Sequence, residues 1–455
     1  MTRIAIIGGG ISGLSAAHTL EQSHAEYTLY ESSPRLGGVL CTEHIDNCVI
    51  EAGPDSFLTE KTWASDFCRT LGLADQLITS HDAERRTYIF VNGRLVPMPD
   101  GLMFMVPTKI LPIALSPLFS WSTKLHMAKE FLNPPKPAGA DESVSSLVER
   151  HYGPEMVDRL ADPLLSGIYG GEAAKLSVRA VLPRFAEMER THGSLSRALL
   201  AARKKIARAA QPPPIFTSLK NGMQQLVDTL VRCLDPSALL TSSPVQAIEY
   251  DAAGWKVSAA EKSACFNAVI VAVPAPVAAK ILTTASPELS TELAAIPYTS
   301  TITVALAYDQ RVRQALPPGF GFLVPRSEGK SLLAATFVHN KFPHRAPDDR
   351  ALLRCAIAGR NAEAIWKRSD EEIIAKVRQE LQQILTLQAA PLFARVYRWK
   401  SAMAQYGVGH LDRLEKVGNL RQKFPRLALA GNGFRGIGVP DCIRSGQQAA
   451  KQMLM

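Results

Sequence analysis

The chain has 455 residues, 46% hydrophobic and 20% charged, which leaves room for two or three domains around a large core and excludes a disordered or fibrous protein. Its net charge of +9 suits an anionic partner. No dense Lys/Arg block with interleaved aromatics occurs, which argues against nucleic acid and leaves an anionic membrane surface, an acidic small molecule or plain solubility.

Residues 3–7 are a short apolar run that predicts a buried strand, 8–13 break it with glycines, 14–21 are helix formers, and 27–31 predict a second strand. This order is half of a doubly wound sheet. Residues 87–97 are hairpin-like. The stretch at 101–121 is nearly all apolar, but Pro107, Pro112 and Pro117 would interrupt a spanning helix. It predicts a kinked helical segment that packs on the core or dips into one membrane leaflet. A Pro/Gly-rich linker at 133–141 precedes helices predicted at 142–161 and 178–210, the second ending in the basic run 203–205, and QPPP at 211–214 closes the block. A helix at 222–234, a small hairpin at 247–257 and a buried strand at 268–273 follow. Strand-like runs between 299 and 359 suggest a separate sheet, 369–385 an amphipathic helix, and 427–430 one more strand before a C-terminal helix. The seven cysteines are odd in number and form no Cys-x-x-Cys pair, so neither a disulfide framework nor a zinc site is expected. The opening residues lack a signal-peptide pattern, and a cytoplasmic location is expected.

Gly8, Gly9, Gly10, Ile11, Ser12 and Gly13 contain Gly-x-Gly-x-x-Gly between a strand and a helix, a pattern that lets backbone N–H groups approach a pyrophosphate. Glu31, at the end of the second strand, stands where a carboxylate accepts from ribose hydroxyls. The plainer reading is a glycine turn with an exposed glutamate. Beyond it, Arg35, Gly37 and Gly38, the stretch Glu51-Ala52-Gly53-Pro54-Asp55-Ser56-Phe57, and the tail Gly431-Asn432-Gly433 with Gly436-Ile437-Gly438-Val439-Pro440 resemble the flavin motifs of the amine-oxidase-like flavoprotein superfamily. Two further segments are not general to flavoproteins: 162–171 (DPLLSGIYGG) and 399–406 (WKSAMAQY). Both resemble the oxygen-dependent porphyrinogen oxidases of haem biosynthesis, the protoporphyrinogen IX and coproporphyrinogen III oxidases. The likeness runs nearly end to end, with one departure: Ala404 stands where that family usually has proline.

Element order and resemblance together imply an α/β protein. Its parts would be a discontinuous Rossmann-type FAD-binding domain (1–98, 215–280 and 396–455), a helical insertion open to membrane-surface contact (99–214), and a mixed-sheet substrate-binding domain (281–395). The resemblance assigns Gly8 to Gly13, Glu31, Ser32, Arg35, Gly38 and Val39 to the adenosine and pyrophosphate side of non-covalently bound FAD. It assigns Gly53, Pro54, Asp55 and Ser56 to the flavin, the backbone of Val245 to the adenine, Trp399 to the vicinity of the ring, and Ile437, Gly438 and Val439 to closing the site. For Val245 and Trp399 plain core packing is the alternative. It also implies six-electron oxidation of a porphyrinogen with hydride passing to the flavin, oxygen as acceptor, peroxide as by-product, no metal, no dedicated nucleophile, and a porphyrin to hand on to a chelatase. Arg85 and Arg86 are candidates for holding substrate propionates, or else a solvated surface pair; Lys341 and Arg345 are further basic residues. An amine oxidase or carotenoid desaturase on the same scaffold, and a non-catalytic porphyrin carrier, are the competing readings.

Overall fold

The four residues of Ile4–Ile7 are all buried and form the central strand of a five-stranded, all-parallel sheet. Strands covered on both faces need continuous apolar runs rather than alternation, which is why this stretch and Ala268–Val271 read as they do. The order across the sheet is Leu239–Leu240, Tyr27–Tyr30, Ile4–Ile7, Ala268–Val271 and Leu427–Leu429, so the beginning, middle and end of the chain meet there. The helix Ile11–Glu21 leaves the first strand and packs against the C-terminal helix Val439–Leu454. The expected hairpin near 250 gains a third strand, giving Val245–Asp251, Gly254–Ala259 and Lys262–Phe266. This computed structural model describes residues 2–137, 139–206, 214–259 and 262–455; the side chains of the basic run at 203–205, and the stretch 211–213, lie outside the described part.

A second, mixed sheet has seven strands in the order Phe393–Ala404, Tyr298–Asp309, Arg350–Ala358, Ala334–Phe337, Gly321–Leu323, Thr87–Val91 and Arg94–Pro97. Only the pairing of Gly321–Leu323 with Thr87–Val91 is parallel. The boundaries expected at 98 and 396 do not follow the sheets, because the 87–97 hairpin and all of Phe393–Ala404 belong to this one. The reason lies in the hairpin's two apolar faces. Tyr88 and Phe90 pack with Ile302, Phe322 and Leu353, while Ile89, Val91 and Val96 pack with the helical region. A hairpin apolar on both faces is stable only where both are covered. The helix Asp370–Leu385, started by a Ser369–Glu372 capping box, buries Ile373, Val377, Leu381 and Ile384 against the same sheet.

The helical region departs from expectation in detail. Residues 101–121 form two short strands, Leu102–Met103 and Val106–Pro107, then the helix Ile110–Leu115 and the start of Trp121–Glu130. The helix expected at 142–161 breaks at Gly153 and Pro154, and that at 178–210 divides into Val178–Val181, Pro183–His192 and Leu195–Ile206. Pro183 sits where proline is tolerated, at a helix start, and Gly193 adopts a positive φ that ends one. Among the described residues no helix is long and apolar enough to cross a membrane.

Candidate active site

The glycine turn forms one end of the site. Gly13 is obligatory by contact, since a Cβ there would lie 1.8 Å from the Gly8 carbonyl oxygen. Gly10 differs: a Cβ there would meet nothing within 4 Å, so its outer side is open. Gly10 is also the N-cap of Ile11–Glu21, with no side-chain cap and no acid in the first turn, so the helix presents unsatisfied N–H groups at that opening. Glu31 is fixed beside it: Gly9 N–H donates to Oε2 at 2.7 Å and Ser33 N–H to Oε1 at 2.8 Å. The Ser32 hydroxyl lies 3.2 Å from the same carboxylate. Arg35 is spent on the loop's own backbone, donating to the carbonyls of Leu36, Gly38 and Leu40. The turn before Val245 is brought to the same place, since Ser243 N–H donates to the Glu31 carbonyl and Ser242 N–H to that of Ser33. An open glycine, uncapped N–H groups and a fixed carboxylate are a donor and acceptor set that fits the pyrophosphate and ribose of a dinucleotide.

The turn at 51–56 is held from outside. Arg354 donates to the Gly53 carbonyl at 2.6 Å, and Trp399 Nε1 to that of Ala52 at 2.8 Å. The Glu51 carboxylate accepts from Met223 N–H (2.7 Å), Thr42 Oγ1 (2.8 Å) and the wholly buried Arg345, whose Nη2 also donates to Ser218 Oγ and the Leu219 carbonyl. Lys341 Nζ lies 2.9 Å from Asp55 Oδ2 and 3.2 Å from Ser56 Oγ, with the Phe216 ring 4.3 Å away. Burial acts to raise the Asp55 carboxyl. The Lys341 and Arg354 charges, with hydrogen bonds from Lys341 and Ser56, outweigh it and hold Asp55 well below the carboxylate range. A close approach also fixes the turn to the first loop, because a Cβ on Gly53 would lie 1.9 Å from the Val39 carbonyl.

The remaining segments converge on the far end. Tyr406 OH donates to the Asn432 carbonyl at 2.7 Å, and Tyr298 OH to Asn432 Oδ1 at 3.0 Å. Burial pushes the Tyr298 phenol up to about 12 and raises Tyr406 further, so both remain donors at neutral pH. Asn432 Nδ2 donates to the Ala402 carbonyl at 2.8 Å, and His410 stacks on Tyr406 with centroids 4.2 Å apart. Gln405 Nε2 donates to the Tyr169 carbonyl and to Thr299 Oγ1, while Ser177 N–H donates to the Tyr406 carbonyl. Arg326 ties Asp162 (2.7 Å) to Ser166 Oγ and the Gly171 carbonyl. The helix Val439–Leu454 begins beyond Ile437, with Gly438 as an N-cap lacking a side-chain bond and with Asp441 paired to Lys61.

Arg85 and Arg86 stand apart. Both are exposed ahead of Thr87–Val91; Arg85 Nη1 is 3.8 Å from Asp82, and among the described residues neither side chain bonds to the turn at 51–56 or to the closing segment. The residues that do hold the turn, Arg354 above all, were readable only as a charge inside the apolar strand ALLRCAIAG. A charged residue in a buried strand signals a buried partner without saying which.

Comparison with known proteins agrees with this geometry. Residues 11–454 match the family described as flavin containing amine oxidoreductase. The chain is 34% identical to the coproporphyrinogen III oxidase of Bacillus subtilis (strain 168), covering 99% of this chain and 97% of that protein. It is 28% identical to the coproporphyrinogen III oxidase of Staphylococcus aureus (strain NCTC 8325 / PS 47), covering 99% and 98%. A crystal structure from Exiguobacterium sp. 255-15, provisionally assigned as a protoporphyrinogen oxidase, superposes with a TM-score of 0.90 at 28% identity over 100% of this chain and 99% of that one. The chain is an oxidoreductase and belongs to the flavin-containing amine oxidoreductase family.

Proposed function

We propose that this oxidoreductase uses FAD and molecular oxygen to convert a porphyrinogen, coproporphyrinogen III first and protoporphyrinogen IX second, to the porphyrin in haem biosynthesis, releasing hydrogen peroxide. One observation carries the reading. The two segments that resemble porphyrinogen oxidases, at 162–171 and 399–406, touch each other through Gln405 and Tyr169 and touch the closing flavin-type segment through Tyr406 and Asn432. Relatives named for coproporphyrinogen III, matching over nearly the whole chain, put that substrate first.

When bound, FAD supplies the two-electron, hydride-accepting chemistry that the side chains lack, and oxygen restores it for each of the rounds a six-electron oxidation needs. The polypeptide's part is to bind, orient and exclude water. Gly8 to Gly13 and the N-terminus of Ile11–Glu21 receive the pyrophosphate, and Glu31 and Ser32 face the ribose. Arg35 and Gly38 shape the loop that ends at Val39, and the Val245 turn borders the adenine. Gly53, Pro54, Asp55 and Ser56, held by Arg354, Trp399 and Lys341, border the flavin. Ile437, Gly438 and Val439 offer the positive end of the closing helix to the charge that builds up on the reduced ring. The cofactor would be held non-covalently, in keeping with Cys442, next to this segment, being buried with its thiol pushed up to about 12 by burial. Lys341, Arg345, Arg354 and Arg326 already hold protein carboxylates or carbonyls; the exposed Arg85 and Arg86 are the proposed holders of the substrate propionates. The parts at 1–98, 215–280 and 396–455 would share the cofactor and 281–395 the substrate, with the 87–97 hairpin and residues 396–404 lying in the sheet of the substrate part, and the porphyrin would pass to a chelatase.

The test is anaerobic mixing of the flavin-loaded protein with each porphyrinogen. Flavin absorbance should bleach and porphyrin fluorescence appear, and admitted oxygen should restore the absorbance with matching peroxide. If neither porphyrinogen bleaches the flavin, the reading is wrong. Porphyrin bound unchanged without oxygen uptake would identify a carrier instead.

A further inference from the structure

The helix Asp162–Tyr169 continues from a short π-helical turn, Val157–Ala161. Pro163 accounts for the wide turn: proline has no N–H to donate, and the extra residue absorbs the gap while bending the rod. The bent rod has two unlike sides. Leu160 and Leu165 are fully buried in the core of the helical region. On the other side Asp158, Asp162 and Ser166 recur every four residues, so they stand one turn apart along a polar stripe. All three meet a single loop, Arg326–Glu328, which follows the strand Gly321–Leu323 of the seven-stranded sheet. Ser327 Oγ donates to Asp158 at 2.7 Å, and Arg326 Nε to Asp162 Oδ2 at 2.7 Å. Arg326 Nη2 lies 3.0 Å from both Ser166 Oγ and the Gly171 carbonyl.

One guanidinium therefore pins both ends of the segment. Gly170, at a φ of 65°, turns the chain back after the helix, and Ala173 N–H then donates to Asp162 Oδ1 at 2.8 Å. A planar fork with several donors can serve a carboxylate, a hydroxyl and a carbonyl at once, which an ammonium cannot. The loop that carries it is itself anchored, since Glu328 accepts from Asn92 N–H at 2.9 Å in the 87–97 hairpin. The far side of the segment meets the site. Gln405 holds the Tyr169 carbonyl, and the Tyr169 ring stands edge-on to Tyr406, 6.1 Å between centroids. Among the described residues Arg326 bonds neither to the glycine turn, nor to the turn at 51–56, nor to the closing segment. We propose, on the porphyrinogen reading, that Arg326 is a positioning residue. It fixes where the 162–171 wall stands against the seven-stranded sheet, and so the orientation in which the macrocycle meets the flavin. It acts through Asp162, Ser166 and the Gly171 carbonyl.

The experiment compares wild type with Arg326→Lys and Arg326→Ala, each as the full-length, flavin-loaded protein. In anaerobic rapid mixing with coproporphyrinogen III, the limiting rate of flavin bleaching should fall roughly tenfold or more in Arg326→Ala, because a small displacement of the wall spoils the approach geometry. Arg326→Lys keeps a cation beside Asp162 but releases Ser166 and the Gly171 carbonyl, so its rate should lie between the two. Methylguanidine should restore part of the lost rate to Arg326→Ala and leave wild type unchanged. FAD affinity and the rate of re-oxidation by oxygen should stay within about twofold of wild type, since the cofactor's contacts lie elsewhere. Amide exchange gives a readout that needs no substrate: the Ala173 N–H should exchange faster in both variants, with the amides of 8–13 unaltered. Bleaching of Arg326→Ala at the wild-type rate would overturn the assignment alone. So would a parallel loss of FAD affinity and melting temperature in both variants, which would make the ion pair a general support of the fold. A wild type whose flavin neither porphyrinogen bleaches would instead sink the porphyrinogen reading, and the assignment with it.

Discussion

Replacing Lys341 with methionine tests whether the turn at 51–56 depends on a cation supplied from outside it. At 2.9 Å, with side chains only 10% and 18% exposed, the Lys341–Asp55 attraction is about 6 kcal/mol at an effective dielectric constant of about 20, before desolvation is subtracted. Truncating one partner of such a pair destabilises by about 3–5 kcal/mol, mainly because the other charge is left buried, and the residual exposure here points to the low end. We expect Lys341→Met to lose about 3 kcal/mol at neutral pH in denaturant unfolding of the flavin-free protein, and to release flavin at a lower temperature. Asp55→Asn should also destabilise, by leaving the ammonium between the Phe216 and Phe342 rings, and the double variant should lose about 2 kcal/mol less than the sum. The pH dependence has a definite sign. In the wild type Asp55 is depressed, so its contribution is present above the unfolded carboxylate value of about 3.9 and is lost as pH falls through the lower folded value. In Lys341→Met the carboxyl rises from its wild-type value, because only the Arg354 charge and the Ser56 hydrogen bond still oppose burial, so the variant loses less on protonation and the gap to wild type narrows as pH falls through the carboxylate range. Additive single-variant losses, or a gap that does not change with pH, would refute the reasoning.

Three further outcomes are expected. His339 is buried, its Nε2 has no partner among the described residues, and burial lowers its imidazole to about 4. The unfolded chain therefore binds the extra proton between about 6.5 and 4, so stability should fall by about 3 kcal/mol as pH drops through that window; His339→Gln should flatten this segment of the unfolding profile. Gly10→Ala should leave the flavin-free melting temperature within a degree or two yet weaken FAD binding at least tenfold, whereas Gly13→Ala, whose Cβ meets the Gly8 oxygen at 1.8 Å, should destabilise the flavin-free chain by about 3 kcal/mol or more, read by calorimetry and fluorescence titration. Trp399→Phe removes the 2.8 Å bond to the Ala52 carbonyl and should lose about 1 kcal/mol of stability while shifting the visible absorption of the bound flavin.

The features legible in the amino-acid sequence divide from the rest along physical lines. The glycine turn, Glu31 and the closing segment are contiguous stretches whose chemistry is local, and the structure gathers them: Glu31 accepts from Gly9, and the Val245 turn bonds back to Glu31 and Ser33. The strand runs were legible because double-sided burial demands unbroken apolar sequence. Pairing was not, since periodicity carries no partner. Thr87–Val91 lies beside Gly321–Leu323, more than two hundred residues on, and nothing in either strand names the other. The same holds for Lys341, Arg345 and Arg354, whose partners at 51–56 are set by tertiary packing far along the chain. The expected long helix at 178–210 overlooked Pro183 as a helix start, a signal that was present. At 101–121 an all-apolar run conceals two faces, one in the core and one in solvent, and composition cannot separate them.

One irregularity in the seven-stranded sheet explains how a single edge strand serves both ends of the site. Along Phe393–Ala404 the pairing with Tyr298–Asp309 is regular up to Trp399, which faces Thr301, and resumes at Met403, which faces Thr299. Three residues, 400–402, thus stand opposite Ser300 alone, and Ser401 takes a positive φ while its N–H donates to Ser300 Oγ at 3.1 Å. A bulge of this kind frees backbone groups from the ladder and re-aims the residues on its far side. The Ala402 carbonyl so released accepts from Asn432 Nδ2, and the strand beyond it delivers Gln405 to the Tyr169 carbonyl and Tyr406 to the Asn432 carbonyl. Before the bulge, Trp399 holds the Ala52 carbonyl. Two extra residues preserve the alternation of faces while lengthening the strand locally. The edge strand therefore fixes the turn at 51–56 with its first half and the closing segment with its second, and the spacing between those two walls is set by the bulge at 400–402.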